Sequence, residues 1–124
     1  MNIHIELTHQ PIALSPTLGA CLEVGAQLDF QGIVRGSEDG SSIAGLHYEA
    51  HEPMAQSMLR KIVSELAVLH PFEEVWIAHR LDFVPVGEIA LFVRVRARHR
   101  KAALQLVDEL MDRIKHDVPI WKSV

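Results

Sequence analysis

The chain has 124 residues, 48% of them apolar and 23% charged, with a formal net charge of −4. That length supports one packed core, expected as a single domain over residues 1–124, and the composition is that of an ordinary soluble globular protein. The acidic balance argues against broad, non-specific binding to nucleic acid. One cysteine, Cys21, excludes an internal disulfide and a Cys-rich metal site and fits a reducing compartment. No apolar run approaches the roughly 18 residues of a membrane span. The opening MNIHIELTHQP lacks the basic start and apolar stretch of a secretory signal, so a cytoplasmic protein is expected.

Residues 3–8 alternate, with Ile3, Ile5 and Leu7 against His4, Glu6 and Thr8, and predict a half-buried strand. Ser15-Pro16 offers an N-cap with proline at the first helical position, so a short helix is predicted to about Val24, closed by Gly25. Cys21 falls inside it and reads as a small buried apolar residue. A second strand is predicted over residues 26–34. GSEDGSS, residues 36–42, reads as a mobile polar loop. Residues 44–51 predict a third strand, with Leu46, Tyr48 and Ala50 on one face and His47, Glu49 and His51 on the other.

Pro53 suits the first turn of a helix whose apolar stripe runs through Met54, Ala55, Met58, Leu59, Ile62, Val63 and Leu66 and stops at Pro71. Val75, Ile77 and His79 share one face of the strand that follows. Pro85-Val86-Gly87 reads as a connection to a last long strand over residues 88–97. There Leu91, Val93, Val95 and Ala97 face one way, while Arg94 and Arg96, with Arg98 beyond, face the other as a solvated or subunit-contacting surface. A second long helix is expected to bury Ala102, Ala103, Leu106, Val107, Leu110, Met111 and Ile114, with Lys115 at the border of that stripe. Val118-Pro119 breaks it, and Ile120-Trp121 is expected to anchor a turn that presents Lys122. Helices alternating with paired strands predict an α+β fold, a mixed sheet with helices packed on one face.

His47 and His51 lie about 13 Å apart on an extended chain and cannot chelate one ion together. No HExxH pattern or GxSxG elbow is present, so neither a metal site nor a serine triad is expected. The cations are more informative. Arg35 ends a strand. His99 and Arg100 stand where a strand hands over to a helix N-terminus, a setting that favours anions. Lys115 and Lys122 flank Pro119. From spacing alone, ordinary surface charge is the more economical reading of these five, and a cleft for an anionic ligand is the alternative. A lysine at the edge of an apolar stripe, close to other cations, is suited to acid–base or nucleophilic work.

The series GAQLDFQGIVRG, LHYEAHEPMA, HRLDFVPVGE, the HR of RARHRKAA and IKHDVPIWK, in this order and spacing, resembles the large, catalytic subunit of molybdopterin synthase over about Ile3 to Lys122. The resemblance implies an α/β hammerhead fold and a homodimer at the centre of a heterotetramer. It implies a small ubiquitin-like partner that inserts a C-terminal Gly-Gly thiocarboxylate. It also implies sulfur transfer to cyclic pyranopterin monophosphate, forming the molybdopterin dithiolene, with no cofactor. Position by position, it implies that Arg35, His99 and Arg100 bind substrate, the last two on its phosphate side, and that Lys115 and Lys122 are the active-site lysines. Three positions depart from the family's pattern. The sequence stops at WKSV, where relatives usually continue. Asp82 stands where many have glycine, so a different local backbone is expected. Ala97-Arg98 replaces small residues before the HR pair. The alternative reading is a truncated, non-catalytic homologue that binds the pterin phosphate or the small subunit.

Overall fold

A computed structural model describes residues 1–14 and 21–124. Its main sheet has four strands in the order β1-β6-β8-β2, with β1 (Asn2–Thr8) parallel to β6 (Glu74–Arg80) and β8 (Ile89–Ala97) antiparallel to both β6 and β2 (Ala26–Ile33). Helices α1 (Glu52–Leu69) and α2 (Arg100–Asp117) pack on one face of it. The alternation decides which face. Ile5, Val75, Ile77, Val93 and Val95 point toward the helices and are buried with Leu59 and Ile62 of α1 and Leu106 and Leu110 of α2. The fold is α+β, with a mixed sheet and helices on one face, as the periodicity predicts. Pro53 lies in the first turn of α1, where a missing N–H costs nothing.

The short strands differ from expectation. Residues 36–42 form a hairpin, β3 (Ser37–Glu38) against β4 (Ser41–Ser42), rather than an unstructured loop. Asp39 and Gly40, at φ 51 and 80, make its two-residue turn, the left-handed geometry for which Asp-Gly is suited. The region after β6 holds a further strand, β7 (Asp82–Pro85), which leaves the main sheet and pairs with β5 (Gly45–Ala50). Residues beyond Pro119 form β9 (Ile120–Ser123), a strand on the other edge of β5, rather than a turn. The second sheet therefore has the order β7-β5-β9.

Three local readings are corrected or bounded. The cap at Ser15-Pro16 lies outside the described residues. Residues 21–24 are not helical, and Cys21 is exposed rather than buried. Arg94 is not solvated: it is 5% exposed, and its guanidinium donates from Nε and Nη2 to the two carboxylate oxygens of Asp29, at 2.7 and 2.9 Å. Asp29 faces Arg94 directly across the β2–β8 register, which makes the two-point pairing possible. Arg98 is exposed and pairs with Glu23.

Asp82 takes φ 70, so the backbone is left-handed there although the residue is not glycine. Asp is among the side chains that tolerate this region. Its carboxylate also has a partner: His9 Nδ1 lies 2.7 Å from Asp82 Oδ2, and His9 Nε2 lies 3.1 Å from Glu52 Oε2. The hydrogen bond to Asp82 first, and that to Glu52 second, hold the His9 pKa above its ordinary value.

Candidate active site

The second sheet and the end of α2 enclose a cavity of about 220 Å³ lined by Tyr48, His79, Ile114, Lys115, Ile120 and Lys122. Four elements supply it. Tyr48 stands on β5 with its Cα opposite Lys122 of β9, so the two side chains share one side of the sheet. Ile120 is two residues from Lys122 and lines the cavity too, while Trp121 between them is directed to the other side and lines a separate pocket with His9, Glu49, Glu52 and Asp82. Lys115 is in the last turn of α2, where a cation complements the carbonyl end of the helix. Ile114 beside it is buried, which fixes the helix rotation and directs Lys115 to the cavity rim.

The electrostatics are uneven. Lys122 Nζ lies 3.1 Å from Glu38 Oε1, so the β3–β4 hairpin delivers a carboxylate to one of the two lysines. Burial raises the Tyr48 pKa; Lys122 opposes that shift and Glu38 reinforces it. His79 is 6% exposed, and burial pushes its pKa down, against the opposing effect of a hydrogen bond to the Arg80 carbonyl. The rings of Tyr48 and His79 meet edge to face, with centroids 5.0 Å apart. The cavity thus combines two flexible donors, an apolar wall and a buried neutral imidazole. No group of three or more metal-ligating side chains occurs among the described residues.

Of the five cations singled out in the sequence, one chain brings Lys115 and Lys122 to the same cavity. Arg35 is exposed between β2 and β3, three residues before Glu38. His99 and Arg100 are exposed at the opposite end of α2. Fifteen residues of helix rise separate Arg100 from Lys115, about 22 Å. His99 lines a different cavity, with Pro71, Phe72, Glu73, Arg98 and Ala102. Tyr48 and His79 were not singled out as site residues. Their signal was a polar ring on an otherwise apolar strand face, beside Leu46 and Ala50 for one and Val75 and Ile77 for the other.

A small α+β protein that turns a pair of lysines onto a half-apolar cavity is suited to holding an anionic ligand or chain end. Comparison with known proteins narrows that class: the chain belongs to the MoaE protein family, whose pattern matches residues 7–117. It is 39% identical over 99 residues to the human molybdopterin synthase catalytic subunit, covering 80% of this chain and 53% of that one, so it spans about half the length of this relative. Its fold matches the crystal structure of molybdopterin synthase from Staphylococcus aureus with a TM-score of 0.83 and 31% identity, over 94% of this chain and 87% of that one. It also matches a chain in the complex of subunits 1 and 2 of molybdopterin-converting factor from Helicobacter pylori, with a TM-score of 0.68 and 31% identity, over 81% of this chain and 65% of that one. No helix among the described residues is long and apolar enough to cross a membrane.

Proposed function

We propose that this chain is the catalytic subunit of a molybdopterin synthase in the cytoplasm. In this reading a small ubiquitin-like subunit inserts its thiocarboxylated C-terminus, and sulfur passes to cyclic pyranopterin monophosphate to form the dithiolene. The observation that carries it is the convergence of Lys115 and Lys122, from α2 and β9, on one cavity in a chain of this family. A thiocarboxylate is an anion, and so is the phosphate of the substrate. Ammonium groups held beside an apolar wall stabilise such charge more strongly than they would in open water. Lys115 is the principal catalytic lysine, and Lys122 positions the donor terminus or the substrate. The two-subunit complex from Helicobacter pylori supports a small-subunit partner.

Arg35, His99 and Arg100 complete the reading as substrate-binding groups, with His99 and Arg100 on the phosphate side. Because the latter two lie about 22 Å along α2 from Lys115, they serve the lysine cavity only if a second copy of the chain brings its own α2 N-terminus there. A homodimer within a heterotetramer meets that requirement. The test is a reconstituted assay with the thiocarboxylated small subunit and the cyclic pterin, following dithiolene formation. Lys115→Ala is expected to abolish product, and near-normal turnover would refute the role. A wild-type chain that binds both partners and forms no product would point to a non-catalytic homologue.

A further inference from the structure

We propose that His79 is a substrate-contacting hydrogen-bond acceptor in the Lys115/Lys122 cavity, so that the ligand seated there presents an N–H or O–H donor to the ring as well as negative charge to the lysines. The identity of that ligand as the pyranopterin rests on the sulfur-transfer reading above.

His79 is buried near the end of β6, yet its side chain is one of the cavity's walls. Its Nδ1 lies 2.8 Å from the carbonyl oxygen of Arg80. A carbonyl oxygen only accepts, so Nδ1 carries the proton and Nε2 is left with a lone pair. No described residue donates to Nε2. Nε2 is not among the buried side-chain atoms left without a partner, so it reaches the open cavity, where solvent, or a ligand that displaces it, supplies the donor.

The surroundings hold the ring in this state. Tyr48 packs edge to face against it from β5, and the bond to the Arg80 carbonyl fixes its plane and tautomer. Lys115 from α2 and Lys122 from β9 line the same space, and burial of the ring disfavours its charged form. Each lysine offers donors and no acceptor. His79 therefore supplies what the lysines lack: it recognises a neutral donor, while they recognise an anion. A pterin meets both demands, because its fused ring carries N–H groups and its substituent carries the phosphate. An ionised carboxylate tail or a fully ionised phosphate offers Nε2 no donor.

Two substitutions separate contact from scaffolding. Asparagine reaches about as far as Nδ1 and can keep the bond to the Arg80 carbonyl without an acceptor at the Nε2 position. Glutamine reaches about as far as Nε2 and keeps the acceptor. In the reconstituted synthase, His79→Asn is expected to raise KM for the cyclic pterin about tenfold, the value of one hydrogen bond to a polar ligand. His79→Gln is expected to stay within about threefold of wild type by the same measure. A scaffolding role predicts the reverse order. Independently, nitrogen NMR of the wild-type chain with the cyclic pterin alone, where no sulfur donor permits turnover, is expected to show the His79 Nε2 resonance moving in the direction of hydrogen-bond acceptance. An unmoved resonance at saturation, absence of pterin binding, or a wild-type KM in His79→Asn overturns the proposal. Failure of the sulfur-transfer reading would show separately, as absence of dithiolene from wild-type protein.

Discussion

The two ends of α2 both carry cations, in opposite settings. At the C-terminal end, Lys115 and His116 sit where the helix carbonyls favour positive charge, and Lys115 shares a cavity with residues from three other elements. At the N-terminal end, His99, Arg100 and Lys101 crowd the start of the helix, and its first turn has no acidic residue. The charges of Arg100 and Lys101 work against the helix dipole there. The first cluster is consistent with helix stability, whereas the second is opposed by it. Charge kept against the local preference needs a ligand or partner to justify it, and under the proposed function the phosphate on a neighbouring copy's substrate is that ligand.

The sharpest way to break this contrast is to separate the two ends between copies. Lys115→Ala chains lack the first end, and Arg100→Ala chains lack the second. At low pterin concentration each is expected to be nearly inactive alone. If sites are built across a dimer, unfolding and refolding the two together should restore up to about a quarter of wild-type activity. Half of the randomly paired dimers would then be hybrids, each with one intact site. A mixture no more active than the average of its components would mean that the two ends do not meet.

A smaller effect is expected at Glu38, whose carboxylate occupies Lys122 in the unliganded chain. An anionic donor tail must displace it. Glu38→Gln is therefore expected to tighten binding of the thiocarboxylated subunit by up to about fivefold, the upper range for a partly exposed pair. Calorimetric titration at low and high salt checks this, and the gain should fade as salt is added. Unchanged affinity at low salt would show that the pair carries no energetic weight.

The smallest effect belongs to His9, remote from both ends of α2. Its pKa is raised by Asp82 and then Glu52, so the folded state holds the proton more tightly than the unfolded chain. The resulting stabilisation is fully present below the unfolded value of about 6.5 and is lost as pH rises through the folded one. Asp82→Gly keeps the left-handed backbone and removes the principal partner. Its stability relative to wild type should be lowest in mild acid and recover as pH rises, as read from denaturant midpoints at several pH values. A difference that grows with pH would reverse the assignment.

Much of this fold was legible because periodicity reports local facing. The stripe from Ala55 to Leu66, the one from Ala103 to Ile114, and the alternation of Leu91, Val93 and Val95 point where the pattern directs them, although Met54 at the head of the first stripe is half exposed and Ala102 and Met111 of the second are only partly buried. Strand partnership was not legible, because alternation fixes a side and not a neighbour. The pattern could not show that β7 leaves the main sheet or that Ile120–Ser123 finds the edge of β5. Arg94 was misread for the same reason: its partner Asp29 lies 65 positions away in sequence. The Asp39-Gly40 pair is a hairpin-turn signal, but in a short polar segment without apolar alternation it reads equally as a loop. In the site, Lys115 and Lys122 could be paired through the break at Pro119. Tyr48 and His79 were hidden because a polar ring on an apolar face resembles core until a cavity opens beside it. Asp82 holds a left-handed backbone that glycine also adopts readily, and its carboxylate gives His9 a partner, a pairing 73 positions apart in sequence.

The pairing of β9 with β5 has a consequence for how tightly the lysine cavity is specified. Successive side chains on a strand point to opposite sides, so a slip of one residue along β5 would rotate Lys122 away and swing the indole of Trp121 into the space it vacates. Register along this four-residue strand therefore decides whether charge or an aromatic ring faces the cavity. The pairing of β9 with β5, together with the Glu38 partner of Lys122, keeps the charged residue facing the cavity.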